Sequence, residues 1–511
     1  MSLRLYNTRT RQTEPFAPLD PRGVRIYVCG MTPSAESHLG HARSFVFFDV
    51  LRRYLVHLGY HVTHVQNVTD IDDRSINAGK AEGVPWSRIV ERYYSSFKRS
   101  MDRLHVLEPD RSPRATEYIP QILAMIEELV ASEHAYVAGD GVYFAVDSFP
   151  RYGALSGRNT DDLLIGARIA PGEEKRDPLD FALWKFAKPD EPSWPSPWGP
   201  GRPGWHIECS AMAHAVLGEP FDIHGGGYDL IFPHHENEIA QTESLGYVPM
   251  ANVWMHGGLL QFDGKKMSKS LGNFEPLSEL LDRHDPQAIR LFFLQVGYRK
   301  PLNFTEDSID GYTTGLRRLQ AAYDELRSAP ATAHPDDAAQ QAAMEPFIRR
   351  FYNALDDDMN TSGAVSVLFD LANVSKALIA AGAASPASAF MHEALTLLGI
   401  SPNERTRAKR VLLEETLLEF AGSEVYTVRA PANAADIVTP EMLERLKRLV
   451  GPQVLPNGVS GPAAVNDVIG ARYRAKRNKD FAEADRLRNA LREIGIDLAD
   501  SKEGATWSVG A

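Results

Sequence analysis

The sequence predicts an α/β protein. Its first domain is a doubly wound, parallel-sheet (Rossmann-like) domain with an insertion, followed by a helical bundle and a small C-terminal domain. Three observations predict this. The strand-like run GVRIYVC is followed by a helical repeat and a second strand-like run, YHVTHVQNVTDID. The alternation breaks near residue 115 and resumes near FDIHGGG. Beyond about residue 300 the pattern is largely helical. Such β–α–β units build parallel sheets whose ligands sit beyond the carboxyl ends of the strands.

Taken in order, GVRIYVC is rich in β-branched and aromatic residues and ends on Cys29. HARSFVFFDVLRRYLVHLG sets Phe45, Phe48, Leu51 and Leu55 on one helical face, with Gly59 as a stop. The helix IPQILAMIEELVAS, the hairpin-like AYVAGDGVYFAV and the irregular KPDEPSWPSPWGPGRPGW form the insertion. After FDIHGGG come a helix from PHHENEIAQTESLG, a strand from NVWMHGGLLQF and the loop DGKKMSKSLGNF. SAPATAHPDDAAQQAA is an exposed connection to the helices FIRRFYNALDDDMN and SGAVSVLFDLANVSKALIAAG. Residues 421–465 carry little periodicity, and the tail reads as a basic helix and a short apolar strand. The expected divisions are 1–115 and 201–260 for the two halves of the catalytic domain and 116–200 for the insertion. They continue with 261–325 for the KMSKS loop and the region after it (a stem-contact region by the resemblance given below), 326–400 for the bundle, 401–465 for a linker and 466–511 for the last domain.

At 511 residues the chain exceeds one compact core. No apolar run is long enough to span a bilayer, and the N-terminus lacks the apolar core of a secretion signal. Two cysteines argue against a disulfide framework and fit a reducing cytoplasm. The net charge of −12 excludes a uniformly basic surface but not local basic patches. One such patch is expected at Arg472, Arg474, Lys476, Arg477 and Lys479, continuing through Arg486, Arg488 and Arg492.

IFPHHENEIAQ suggests a metal site. Pro233 suits the first turn of a helix, which puts His234 and Glu238 four apart on one face. His235 would pair instead with Ile239, which cannot ligate, so the spacing selects His234. Cys29 and Cys209 complete a set of two thiolates, one imidazole and one carboxylate, suited to tetrahedral Zn²⁺. The plain alternative is two buried apolar cysteines and an ordinary helix-surface pair.

A second group suits a nucleotide. His38, Gly40 and His41 of HLGH lie at a strand-to-helix turn, where free N–H groups and the positive dipole end favour phosphate. Gly40 allows close approach to the backbone, and both imidazoles can donate to phosphate oxygens. KKMSKS supplies Lys266 and Lys269 to meet charge developing on a leaving pyrophosphate. The glycines of IHGGGYDL form a surface for a nucleoside, with Asp229 near a ribose hydroxyl. No P-loop sequence is present.

HLGH followed by KMSKS resembles the paired motif of class I aminoacyl-tRNA synthetases. NVTDIDDRSI, PRATEYI, DFALWK, GRPGWHIECSAM and DIHGGGYDLIFPHHENEIAQ resemble the cysteine-specific branch of that family, as do ALDDDMNTSGAVSVLFDLA and KRNKDFAEADRLRNALREIGIDL downstream. The resemblance covers nearly the whole chain outside about 401–465. It implies cysteine activation with Mg²⁺–ATP, transfer to the 3′ end of tRNA(Cys), no membrane partner and a monomer. It also implies zinc on Cys29, Cys209, His234 and Glu238. Thr32, Trp205 and His224 are expected to line the cysteine pocket, and Lys269 to contact ATP. One departure is Pro33-Ser34-Ala35, where the family usually carries a Val-Tyr-Asp-like segment. Two rivals are an enzyme passing the same adenylate to an amino sugar and a non-catalytic RNA-binding paralogue. The long C-terminus argues against the first, and the intact motifs against the second.

Overall fold

The computed structural model describes residues 2–158, 174–262, 265–266, 275–330, 337–401, 413–420, 424–431, 438–451, 453–455, 461–500 and 504–509. The chain forms two compact units, Met1–Asn403 and Glu404–Ala511.

The first unit opens with a hairpin, β1 (Arg4–Asn7) and β2 (Gln12–Pro15). The β–α–β unit follows as β3 (Gly23–Val28), α1 (Leu39–His57) and β4 (His61–Gln66). Helices α2 (Asp73–Glu82), α3 (Trp86–Arg103) and α4 (Ile119–Ala131) lead into the insertion. The insertion is an antiparallel sheet of β5 (Ala135–Val137), β6 (Gly141–Phe144), β7 (Phe181–Phe186) and β8 (Gly201–Pro203). The main sheet resumes through α5 (Trp205–Leu217), β9 (Phe221–Gly227), α6 (Glu236–Ser244) and β10 (Ala251–Gly257).

The main sheet has the order β10-β9-β3-β4 with every pair parallel. Its topological switch point lies between β3 and β9, and a ligand crevice forms at the carboxyl ends of such strands. Alternation along β3 builds both layers: Val24, Ile26 and Val28 pack with α1, and Tyr27 packs on the opposite face among Phe221, Trp254 and Ile207.

A small sheet of β11 (Leu260–Phe262), β12 (Lys265–Lys266) and β13 (Leu302–Phe304) lies next in the chain, with β11 and β13 parallel. Helices α7 (Leu277–Arg283) and α8 (Pro286–Leu294) connect its strands. The bundle contains α9 (Glu306–Ser328), α10 (Asp337–Asp356), α11 (Thr361–Asn373), α12 (Ser375–Ala380) and α13 (Ala384–Leu397). Leu316, Leu319 and Tyr323 of α9 share one core with Phe351, Leu368 and Leu395, so the bundle starts before residue 326.

The second unit corrects the expectation of a linker at 401–465. Strands β14 (Leu413–Phe420) and β15 (Glu424–Pro431) form an antiparallel pair. Helix α14 (Pro440–Val450) buries Leu443, Leu446 and Val450 in the same core as α15 (Gly461–Arg477) and α16 (Phe481–Glu493). Strand β15 also pairs with β17 (Gly504–Val509), which pairs with β16 (Ile496–Asp500). Two of these pairings, β14 with β15 and β16 with β17, are local ladders, and only β15 with β17 joins segments distant in the chain. Arg472, expected on the basic surface, is only 2% exposed.

Candidate active site and metal centre

Cys29 leaves the end of β3, and its amide donates to the Gly225 carbonyl of β9 at 2.9 Å, which places the thiol at the switch point. Cys209 arrives on α5, and the two Sγ atoms lie 3.8 Å apart. Phe232 is extended (φ −139°, ψ 131°), so the helical turn that joins α6 begins at Pro233, as the sequence predicts. That turn sets His234 Nε2 3.0 Å from Glu238 Oε1, and Cys29 Sγ lies 3.4 Å from the same oxygen.

Cys29, Cys209, His234 and Glu238 are all buried, with donor atoms within 4.8 Å of one another. The two cysteines are buried, as the plain alternative also expects, but the His234–Glu238 pair lies beside them in the interior and not on a helix surface. Zn–S bonds near 2.3 Å in a tetrahedron put two sulfurs about 3.8 Å apart, so the thiol separation fits the expected ion. Burial, then the neighbouring Cys209, pushes the Cys29 thiol well above its usual range, and burial raises Cys209 as well. A cation between the sulfurs offsets both effects.

Two of the four donor residues each have an outer partner. His206 Nδ1 lies 2.9 Å from His234 Nδ1, and His224 Nε2 lies 2.8 Å from Glu238 Oε2. Such contacts fix the orientation of a metal ligand. Burial raises Glu238, but His224, His234 and the bond from Cys29 outweigh it and hold the carboxyl below its usual range.

His235, set aside on spacing, is part of the cluster. Its Nε2 approaches Cys29 Sγ to 3.3 Å, and Cys29, His224, His235 and Glu238 form a second, overlapping donor group. The i,i+3 relation of His235 to Glu238 was the missed signal, because that spacing also shares a helix face. His235 Nδ1 continues to His256 Nε2 at 2.8 Å, and His256 Nδ1 to Thr8 Oγ1 at 2.8 Å. Neither of those residues lies in a recognisable motif.

Helix α1 begins on His38. The Gly40 amide donates to His38 Nδ1 at 3.0 Å, and the His38 amide donates to His41 Nδ1 at 3.3 Å. The two rings stack with centroids 3.8 Å apart. With both Nδ1 atoms accepting, each neutral ring carries its proton on Nε2, the donor a phosphate oxygen requires. Desolvation, and then the neighbouring His38, lowers His41 to about 3, so it stays neutral at physiological pH. A side chain on Gly40 would meet the His38 ring at 2.9 Å, so this glycine first makes room for the capping histidine.

A cleft of about 550 Å³ joins the two groups, with Cys29, Thr32, Trp205, His38, His41 and Asp229 on its wall. Trp205 stacks on His234 at 4.3 Å. Ser34 and Ala35 of the divergent segment line the cleft as well. His224 instead is fully buried behind Glu238 and is absent from the cleft wall among the described residues. Lys266 lies on β12, whereas Lys269 falls outside the described residues.

A parallel sheet with a histidine-capped helix and a nucleotide-sized cleft at its switch point defines the catalytic domain of a class I aminoacyl-tRNA synthetase. The sequence matches the tRNA synthetases class I (C) catalytic domain over residues 15–313, a DALR domain over 350–400 and a cysteinyl-tRNA ligase anticodon binding domain over 460–507. It is 45% identical to the Cysteine--tRNA ligase of Alkalilimnicola ehrlichii and 44% to that of Halorhodospira halophila, each over 99% of both chains. The Pseudomonas aeruginosa protein of that name is 43% identical, again over 99% of both. The solved Mycobacterium tuberculosis methionyl-tRNA synthetase with methionyl-adenylate aligns with a TM-score of 0.57 at 16% identity. That alignment covers 75% of this chain and 92% of the other, and shows a shared fold. The chain belongs to the cysteine–tRNA ligase family. Among the described residues, no helix is long and apolar enough to cross a membrane.

Proposed function

We propose that the protein activates L-cysteine with ATP and transfers the cysteinyl group to the 3′ end of tRNA(Cys), acting as a cytoplasmic monomer. One observation carries the reading: a buried donor cluster suited to a soft metal opens on the same cleft as the two stacked histidines. The cysteine carboxylate attacks the α-phosphorus of ATP, giving cysteinyl-adenylate and pyrophosphate. Nε2–H of His38 and His41 donates to the phosphate oxygens, where charge builds up in the transition state. Lys266 and Lys269 meet the leaving pyrophosphate, and Mg²⁺ accompanies the nucleotide. Asp229 accepts from the ribose, while Thr32 and Trp205 bound the amino acid.

Cysteine and serine differ by a single atom, and shape alone separates such small differences by only about 1–3 kcal/mol. Held by Cys29, Cys209, His234 and Glu238, Zn²⁺ supplies a soft positive centre that favours a thiolate over a hydroxyl. His224 and His206 act indirectly, by orienting Glu238 and His234.

The test compares pyrophosphate exchange with cysteine and with serine, beside elemental analysis of the purified protein. Exchange driven by cysteine alone, with one zinc per chain, is the expected result. Equal exchange with serine, or a metal-free active protein, overturns the reading. Removing residues 466–511 is expected to weaken tRNA charging far more than exchange, because the last domain would contact only the RNA.

A further inference from the structure

Arg43 lies two residues beyond His41 on α1, and its guanidinium is buried, with 4% of the residue exposed. Nη1 donates to the carbonyls of Gly258 and Leu259, both at 3.0 Å. Nη2 donates to the carbonyls of Gly297, Tyr298 and Lys300 at 3.3, 3.2 and 2.5 Å. The first two carbonyls belong to the connection between β10 and β11, and the other three to the connection between α8 and β13.

These two connections enter the parallel strands of the small sheet, and β12 with Lys265 and Lys266 pairs with β11. They are also bonded to each other: the Gly258 amide donates to Tyr298 at 2.7 Å and the Leu302 amide to Leu259 at 3.0 Å. A side chain on Gly258 would meet the Arg299 and Lys300 carbonyl oxygens at 2.6 Å, so only glycine permits this approach.

Burial lowers the guanidinium to about 10, which leaves it charged at neutral pH. Its five acceptors are all backbone carbonyls, and its Nε is buried with no hydrogen-bond partner among the described residues. For stability alone, an apolar side chain of similar volume serves such a place as well or better. What an apolar group cannot do is hold two separate backbone segments through one planar fork. Arg43 also lines the cleft with His38 and His41.

We infer that Arg43 is a positioning residue that fixes the lysine-bearing small sheet to the histidine end of α1, setting the distance between the two phosphate-binding groups. The inference rests on the ATP-activation reading above, in which both groups act on one polyphosphate. A misplacement of about 1 Å in such a site costs roughly 100-fold in rate.

The test uses the full-length zinc-containing protein and its Arg43→Met and Arg43→Lys variants in steady-state cysteine-dependent pyrophosphate exchange. Arg43→Met is expected to lower kcat about 100-fold, with zinc content and the KM for cysteine held within about threefold. Arg43→Lys keeps the charge but loses the fork, and is expected to recover only part of the rate, remaining about 10-fold down. Near-normal kcat in Arg43→Met overturns the inference. So does parallel loss of zinc and cysteine affinity, which marks a purely structural role. If Arg43→Met does not fold, Arg43→Lys decides: kcat within about twofold of wild type overturns the inference. Wild-type protein without cysteine-dependent exchange instead sinks the activation reading itself.

Discussion

At its N-terminal end, helix α1 presents His38 and His41 to the cleft, and the hydrogen bonds of its buried arginine, Arg43, all go to carbonyl oxygens among the described residues. Further along the same helix the arrangement reverses. Asp49, 2% exposed, accepts from the fully buried Arg290, from Arg53 Nε at 2.8 Å and from the Leu107 amide at 2.8 Å. Arg290 also donates to the carbonyls of Leu104 and Leu398 at 2.8 and 2.7 Å, and Tyr54 donates to Asp356 at 2.7 Å. The carboxylate end is an anchor: a paired charge between secondary elements, whose loss leaves a buried ion uncompensated. The carbonyl end is a spacer, whose loss shifts groups without stranding an opposite charge. Burial raises Asp49, but Arg290, Arg53 and the Leu107 amide outweigh it and hold the carboxyl below its usual range.

Substitutions can break this contrast. The largest effect is expected at the metal centre, where Cys209→Ala or His234→Ala should remove bound zinc and reduce cysteine-dependent exchange to background. Zinc retained at the wild-type level would reject those ligands. At the anchor end, Asp49→Ala should destabilise the fold by about 3–5 kcal/mol in urea denaturation. A loss below about 1 kcal/mol would make the two ends alike. At the cleft end, His41→Ala should lower kcat about 100- to 1,000-fold with little change in the denaturation midpoint. A lowered midpoint with unaltered kcat would assign His41 to the fold instead.

His64 on β4 sharpens the account of burial. Burial first, then Arg52, lowers it to about 4, and both ring nitrogens lack hydrogen-bond partners among the described residues. The unfolded chain therefore takes up a proton below about pH 6.5 that the folded chain refuses. Stability is complete above that pH and falls by about 3 kcal/mol as pH drops towards 4. His64→Leu should flatten this part of the stability–pH curve; an unchanged curve would show that the folded-state ring binds protons normally. The smallest effect is expected at the exposed Arg350–Asp370 pair, 2.6 Å apart, where Arg350→Ala should change stability by no more than about 0.5 kcal/mol. A much larger loss would show that surface pairs anchor this protein as buried ones do.

The histidine turn was legible in the sequence because its residues are neighbours along the chain. His234 and Glu238 were legible because helical spacing puts them on one face, and Cys29 because a strand run ends there. His235 was misjudged: a single-spacing rule took no account of the strand end that comes up beside it. His256 and Thr8 carried no signal, since their partners come from other strands and loops. Residues 413–420 and 424–431 read as a linker although they pair with each other as neighbouring strands; only Thr427, Val428 and Arg429 reach β17, more than 70 residues away.

By itself, the sequence determined the β–α–β order, the histidine turn at the start of α1, the helical pairing of His234 with Glu238 and the family, because periodicity and short motifs are local properties of a chain. Tertiary structure alone decided that two thiols would lie 3.8 Å apart, that His224 would stand behind Glu238, and that Arg43 would grip two connections. The acceptors of Arg43 are backbone carbonyls, which every residue carries. No residue code marks them until the fold brings them to one place.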